Sequence, residues 1–244
     1  MTRYLGFDTA YYQGDKIMSA WKQHSPYGFT GYYLKAPCHG DASYMGTRER
    51  LAAMGWGFLI IYVGRQVEGP CSSRPVSAAL GSLHGRDAIA KTAAEGFPDG
   101  SVIFLDVERI ERIPAAMKDY VRAWFAEVNA SPFAGGIYCH VKNAVDLRET
   151  ILPGHPAAKP DPVFWVAGGR RFNPASSVPA DSGVPFARIW QGRLDTRETY
   201  AGYKVNIDIN VADMPDPSGV HIATSPRPEE PESPKAGRRP SPSS

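Results

Sequence analysis

Four acidic residues stand at the ends of strand-like runs. Asp8 closes Tyr-Leu-Gly-Phe-Asp, Asp106 and Glu108 close Val-Ile-Phe-Leu-Asp-Val-Glu, and Asp208 sits near the end of a last run, Val-Asn-Ile-Asp-Ile. Side chains two apart on a strand share a face, so the Asp106 and Glu108 Cα atoms should lie roughly 6.6 Å apart. Two carboxylates held that close resist being ionised together. One then tends to keep a proton near neutral pH beside an anion. Glycoside hydrolysis uses that division: an acid protonates the leaving oxygen while an anion supports the oxocarbenium-like centre or drives attack on it. Glu108 has the longer reach and lies nearer the strand end, which suits it to the acid role. A single strand-terminal Asp could equally cap a helix or pair with an arginine, and Arg109 follows Glu108 directly. The placement of all four together is what points to a site.

Aromatic residues fit a sugar cleft. Tyr62, Tyr138, Trp165 and Trp190 lie in or at the ends of strand candidates, and such rings offer an apolar face to pyranose C–H groups and a polar handle to hydroxyls. Tyr138, Trp165 and Trp190 are the better candidates among them. Other constellations carry less. In Cys38-His39 and Cys139-His140 the two side chains point to opposite faces of an extended chain, so neither pair is a preassembled nucleophile and base. Gly168-Gly169-Arg170 could meet an anion but lacks the strand–GxGxxG–helix setting of a nucleotide fingerprint. The histidines show no metal-binding spacing. Neither a metal nor another cofactor is expected.

The elements that must position these residues alternate in type. Strand candidates cover residues 4–8, 29–35, 57–63, 102–108, 135–139, 163–167, 187–191 and 205–209. Several are almost continuously apolar, as parallel strands buried on both faces are. A helix opens at Pro114 and carries Met117, Tyr120, Val121, Trp124, Phe125 and Val128 on one stripe. A second runs over 83–95 and stops at Gly96, and a third spans 47–54 and ends at Gly55. Eight strands with helices between them predict an α/β fold, a (β/α)8 TIM-type barrel over residues 1–215. A doubly wound open sheet is the competing arrangement. Residues 168–186 are rich in Gly, Pro and Ser, so helices in the last third should be short or missing. From 216 to 244 the chain turns Pro-, Ser- and charge-rich, which reads as a disordered tail or linker.

At 244 residues the chain can bury a generous core. Its formal charge of +2, with several of the basic residues in the tail, gives no electrostatic footprint for nucleic acid. No apolar run approaches the roughly 20 residues that span a bilayer. Three widely spaced cysteines, Cys38, Cys71 and Cys139, allow at most one disulfide. The first residues enter a strand without a basic n-region and apolar h-region, so an extracellular role would need another export route, host lysis or an upstream segment. A monomer is expected.

Gly6-Phe-Asp-Thr-Ala10 with Gln13-Gly14 resembles the opening of the family 25 glycoside hydrolases, the Chalaropsis-type lysozymes. Phe104-Leu-Asp-Val-Glu108 resembles their catalytic Asp-x-Glu strand, and Gly136-Ile-Tyr138 the strand after it. Ile189-Trp-Gln191 with Ile207-Asp-Ile-Asn210 resembles their closing signature. The middle of the chain is similar to a neighbouring bacterial group, the glycoside hydrolase-like domains of the "domain of unknown function 1906" type. Phe29-Thr-Gly-Tyr-Tyr-Leu-Lys35 and Gly85-Arg-Asp-Ala88 carry that likeness. The resemblance covers about residues 4–213. It implies Glu108 as general acid and Asp106 as its partner toward the sugar's N-acetyl group. Asp8 and Asp208 would shape the cleft, and Lys35 and Gln191 would join the aromatic residues in substrate binding. Cleavage of the β-1,4 bond after N-acetylmuramic acid in peptidoglycan would follow. The alternatives are a catalytically inactive glycan-binding barrel and a scaffold domain whose tail recruits a partner. Where those lysozymes read Lys-Ala-Thr-Glu-Gly, this chain reads Lys35-Ala-Pro-Cys-His39.

Overall fold

A computed structural model describes residues 3–69, 71–72, 75–169 and 171–219. Eight strands close into a barrel in sequence order: β1 (Tyr4–Asp8), β2 (Phe29–Tyr33), β3 (Gly57–Val63), β4 (Val102–Val107), β5 (Ala134–His140), β6 (Val163–Ala167), β7 (Ala187–Tyr200) and β8 (Tyr203–Ala212). Helices α1 (Asp15–His24), α2 (Arg48–Ala53), α3 (Ala78–Ala94), α4 (Ala115–Ala130) and α5 (Ala144–Ile151) connect the strands through β6. The (β/α) barrel expected from the strand pattern is the fold, and its helices thin out toward the end as the Gly- and Pro-rich stretch implies. Helix α3 begins five residues before its expected start because the Ser77 side chain accepts the Leu80 N–H at 3.2 Å and caps it.

Period-two alternation sorts each strand's side chains between two cores. Phe7, Tyr32, Ile60, Tyr62, Leu105, Cys139, Val166 and Trp190 face outward into the layer between the barrel and the helices and loops around it. Phe29, Leu59, Ile61, Phe104, Val163, Trp165 and Ile189 fill the barrel interior. Gly31 is part of that interior for a steric reason: a Cβ there would lie 2.7 Å from the Asp8 Cβ, so glycine on β2 leaves room for the neighbouring carboxylate.

Two features depart from the sequence expectation. The last strand does not arrive through a crossover, because β7 and β8 run antiparallel and β8 also pairs antiparallel with β1. The 13 residues between Gln191 and Val205 lengthen both strands instead. They turn at Ala201-Gly202, where φ is +50 and +81, the two-residue turn with positive φ that suits a twisted hairpin. The hairpin's far end packs on α1, with Tyr200 5.1 Å from the Trp21 ring and Trp21 Nε1 donating to the Tyr203 carbonyl at 3.1 Å.

The second departure concerns the boundary at 215, which falls short of the packed chain. β3 begins at Gly57, but its pairing with β4 begins only at Ile60. That leaves edge N–H groups at the foot of the barrel, and residues 216–218 fill them. Phe58 N donates to Asp216 Oδ1 at 2.7 Å, and Ile60 N donates to Ser218 Oγ at 2.8 Å. The Ser218 carbonyl accepts the Val102 N–H at 3.0 Å. The rest of the expected tail, 220–244, lies outside the described residues.

Candidate active site

The interior alternation that packs Phe29 and Phe104 low in the barrel brings acidic residues to its upper end. Asp8 ends β1, Asp106 is the last interior residue of β4, and Glu108 follows just past that strand. Asp208 comes from the reversed strand, entering from above, and the β1–β8 register sets it directly opposite Asp8. It therefore reaches the mouth from the middle of β8 rather than from a strand end. The four residues expected to act together are brought to one mouth.

Their environments differ sharply. Asp8 is buried, and three donors serve its carboxylate: Tyr33 Oη at 2.8 Å, Gln191 Nε2 at 2.8 Å and Asn210 Nδ2 at 2.7 Å. Burial raises its pKa, and those three hydrogen bonds oppose the rise. Asp106 is also buried, but its Oδ1 has no hydrogen-bond partner among the described residues. Burial first, then the charges of Glu108 and Asp8, push its pKa well up. Three donors thus favour the ionised form of Asp8, whereas Asp106 lacks such support for a charge.

Glu108 is exposed at the rim, yet enough protein crowds its carboxyl that dehydration, with Asp8 adding to it, raises its pKa against the pull of the Arg109 N–H. Asp208 is pushed up to about 7, chiefly by dehydration and then by Asp8. Its Oδ1 accepts the Asp195 N–H at 2.7 Å, and Gln191 Nε2 reaches its Oδ2 at 3.3 Å.

Tyr138 and Gln191 complete the arrangement. The Tyr138 hydroxyl donates to Gln191 Oε1 at 2.7 Å, and dehydration with the charges of all four carboxylates raises its pKa. Trp165 is interior but buried one layer down, where Nε1 donates to Asn210 Oδ1 at 2.8 Å. It supports the floor rather than meeting a ligand.

Two residues expected to bind substrate point the other way. Tyr62 is buried beneath α3 with its hydroxyl on Asp87 Oδ2 at 2.8 Å, and Trp190 is buried against Phe172 with Nε1 on the Gly168 carbonyl at 2.6 Å. Both occupy outward positions of their strands, on the opposite parity from the carboxylates. Lys35 is exposed past the end of β2, and its carbonyl accepts Lys91 Nζ from α3 at 2.6 Å.

Three residues join the site that the motifs did not single out. Tyr33 shares the interior parity of Phe29 and Gly31, and Asn210 stands two residues beyond Asp208 on the same face; alternation could have found both. Gln66 carried no signal. Buried in the loop after β3, it accepts the Glu108 N–H on Oε1 at 3.0 Å and donates from Nε2 to the Asp106 carbonyl at 3.0 Å. It thereby fixes the backbone of the Asp-x-Glu pair. A disulfide, Cys38–Cys71, ties the loop after β2 to this same loop. Cys139 is free, buried and outward-facing, while His140 beside it is on the mouth side, as opposite faces require. Among the described residues no group of three His, Cys, Asp or Glu side chains is arranged to hold a metal ion, and no helix is long and apolar enough to cross a membrane.

Comparison with known proteins agrees with the fold. The family model described as "Rv2525c-like, glycoside hydrolase-like domain" matches residues 19–212. No curated protein matches the chain. Among solved structures, the Tat-secreted protein Rv2525c of Mycobacterium tuberculosis superposes with a TM-score of 0.59 at 17% identity, over 89% of this chain and 98% of that one. The bacterial lysozyme of Streptomyces coelicolor gives 0.57 at 17% identity, over 88% and 94%. The modular autolysin LytC of Streptococcus pneumoniae, solved with a synthetic peptidoglycan ligand, gives 0.58 at 12% identity, over 86% of this chain and 46% of that one. At these identities the likeness is one of fold.

Proposed function

The chain belongs to the family of Rv2525c-like glycoside hydrolase-like domains, and from that premise we propose that it is a glycosidase of muramidase type acting on cell-wall peptidoglycan. The observation that carries the reading is the unequal pair at the end of β4: a buried Asp106 whose Oδ1 has no partner among the described residues, beside a rim-exposed Glu108 with a raised pKa. Glu108 is the only member of that pair placed to meet a glycosidic oxygen, and it serves as general acid. Asp106 accepts the N–H of the N-acetyl group of the sugar beneath Glu108 on its free Oδ1 and so turns that group's carbonyl oxygen onto the reacting carbon. That oxygen attacks as the leaving oxygen takes the Glu108 proton; water then opens the cyclic intermediate and returns a proton to Glu108. Asp8, with its three donors, stays ionised and supports the positive charge that develops on the ring. Asp208 and Gln191 bound the cleft, and Tyr138 presents its ring edge to the bound sugar.

One domain carries this activity, with the Pro- and Ser-rich segment after it acting as a tail or linker. The Cys38–Cys71 disulfide suits an oxidising compartment, so we place the action at the cell envelope or outside it. The test is the identity of the new chain ends. After digestion of purified peptidoglycan and borohydride reduction, mass spectrometry should find reduced N-acetylmuramic acid. Reduced N-acetylglucosamine or freed peptide amines in its place would refute the assignment.

A second reading is favoured by one observation: Asp8 and Asp106 are only 3% and 8% exposed, so half of the acidic set is withdrawn from solvent. A barrel that binds glycan without cleaving it would show retained affinity and no new ends.

A further inference from the structure

A cavity lies at the foot of the barrel, at the opposite end from the acidic mouth. It opens where β2, β3 and β4 begin, beside Gly28, Gly57 and Ser101. Its volume is about 440 Å³, within the range of small-molecule sites. Two cations stand in its wall. Lys22, in the last turn of α1, donates from Nζ to the Gly28 carbonyl at 2.9 Å and lies 4.7 Å from the Trp56 ring centroid. Arg48 opens α2, with its guanidinium carbon 5.5 Å from the Phe97 ring centroid. Both rest near the glycines that follow α2 and α3: a Cβ on Gly55 would lie 3.6 Å from Lys22 Cε, and one on Gly96 3.9 Å from Arg48 Nη1. Among the described residues neither cation forms an ion pair. Dehydration holds the Lys22 pKa down, as befits an ammonium partly shielded from water without a counter-ion.

Two buried N–H groups of the same wall also lack acceptors among the described residues: Trp56 Nε1, on a residue only 3% exposed, and Arg48 Nε. Buried donors are nearly always satisfied, and an unmet one is costly. Water could meet the donors but would not neutralise the cations; an anion does both. Asp216 is the one carboxylate among the described residues of the wall, with Oδ1 accepting the Phe58 N–H at 2.7 Å, and it weighs against a dianion. Phe58, Phe97, Pro98 and the Trp56 ring supply apolar surface, which calls for an apolar body behind the charge. We propose that this cavity binds a small monocarboxylate with an apolar body. Its oxygens accept from Trp56 Nε1 and Arg48 Nε between the two cations, and its body lies against Phe97 and Pro98. Such a ligand would join α1, α2 and the start of β3 to the segment around Asp216 and Ser218 that closes the foot. The assignment does not depend on what the acidic mouth does.

The experiment titrates the full chain, labelled with ¹⁵N, with benzoate, its neutral isostere benzamide, and inorganic phosphate, and follows the indole N–H resonances. Trp21, Trp165 and Trp190 give their indole protons to protein acceptors and should stay still. Trp124 Nε1 also lacks an acceptor but does not line the cavity, so it serves as the internal control. Benzoate should move the Trp56 resonance saturably and leave Trp124 unmoved. Benzamide should bind about 10-fold or more weakly, and Arg48→Gln should weaken benzoate by a similar factor, the loss expected when a charged hydrogen-bond partner is removed. The comparison of benzoate with benzamide needs no variant and stands even if Arg48→Gln misfolds. A Trp56 resonance that benzoate does not move, or that benzoate and benzamide move with equal affinity, overturns the proposal. Phosphate bound as tightly as benzoate overturns it too, since the apolar body would then contribute nothing.

Discussion

Replacing Asp208 by asparagine should alter how stability depends on pH. The folded protein carries the Asp208 pKa from an ordinary 3.8 to about 7, chiefly through dehydration and then the charge of Asp8. A carboxyl whose folded pKa is raised binds its proton more tightly in the native state. Its stabilising contribution is therefore greatest at low pH and is lost as pH climbs from about 4 through 7. Each tenfold in proton affinity is worth about 1.4 kcal/mol, so the full rise would correspond to ~4 kcal/mol. Asp208 is only partly buried, and screening by solvent reduces that to about 2 kcal/mol. Asparagine does not titrate and keeps an oxygen for the Asp195 N–H; what it gives up is the long 3.3 Å contact from Gln191, a cost of about 1 kcal/mol or less that does not vary with pH. Urea unfolding at half-unit steps from pH 4 to pH 8 would measure the difference between variant and parent. That difference should move in the variant's favour by about 2 kcal/mol across the window. Two curves that run parallel from pH 4 to pH 8 would show that Asp208 is not held in a dehydrated, anionic setting, and the account of the mouth would fail with it.

Other consequences can be measured directly. Asn210→Leu removes a donor from Asp8 and leaves Trp165 Nε1 unpaired, and should cost about 2–4 kcal/mol in denaturant unfolding. Gln66→Ala releases the backbone of Asp106 and Glu108; in steady-state kinetics on soluble glycan strands it should lower kcat roughly 10-fold or more with little change in KM. Reducing the Cys38–Cys71 disulfide, which closes a sequence separation of 33, should destabilise the fold by about 2–4 kcal/mol, read as a lower Tm in calorimetry. Ending the chain after Pro215 removes the acceptors for Phe58, Ile60 and Val102 and should lower Tm by several degrees, whereas ending it after Gly219 should not disturb those bonds.

Much of this was legible because barrel strands write their burial into the sequence. Runs such as Phe58–Val63 and Val102–Val107 are apolar on both faces, and acidic residues at their ends stand out against that background. What the runs conceal is parity. Tyr62 and Trp190 sit in apolar surroundings whichever way they face, and only the register of the closed sheet shows that Tyr62 packs under α3 and Trp190 under the loop after β6. The reversal of β8 was hidden for a related reason, since a stretch of 13 residues can serve as a crossover or as two longer strands. The Tyr200-Ala-Gly-Tyr203 turn decides it, and its signal is weaker than an Asn-Gly pair would give. Gln66 and Ser218 act through hydrogen bonds to distant backbone, and their neighbours in sequence say nothing of those partners.

The central claim is that Glu108 acts chemically at this mouth. The most direct measurement is reducing ends released from purified peptidoglycan by the parent chain and by Glu108→Gln, with binding of the same glycan strands followed in parallel. The account predicts release by the parent, release lowered roughly 10²–10⁴-fold in the variant, and affinities within a few-fold of each other. Equal release by the two proteins, or binding without release by either, would contradict it.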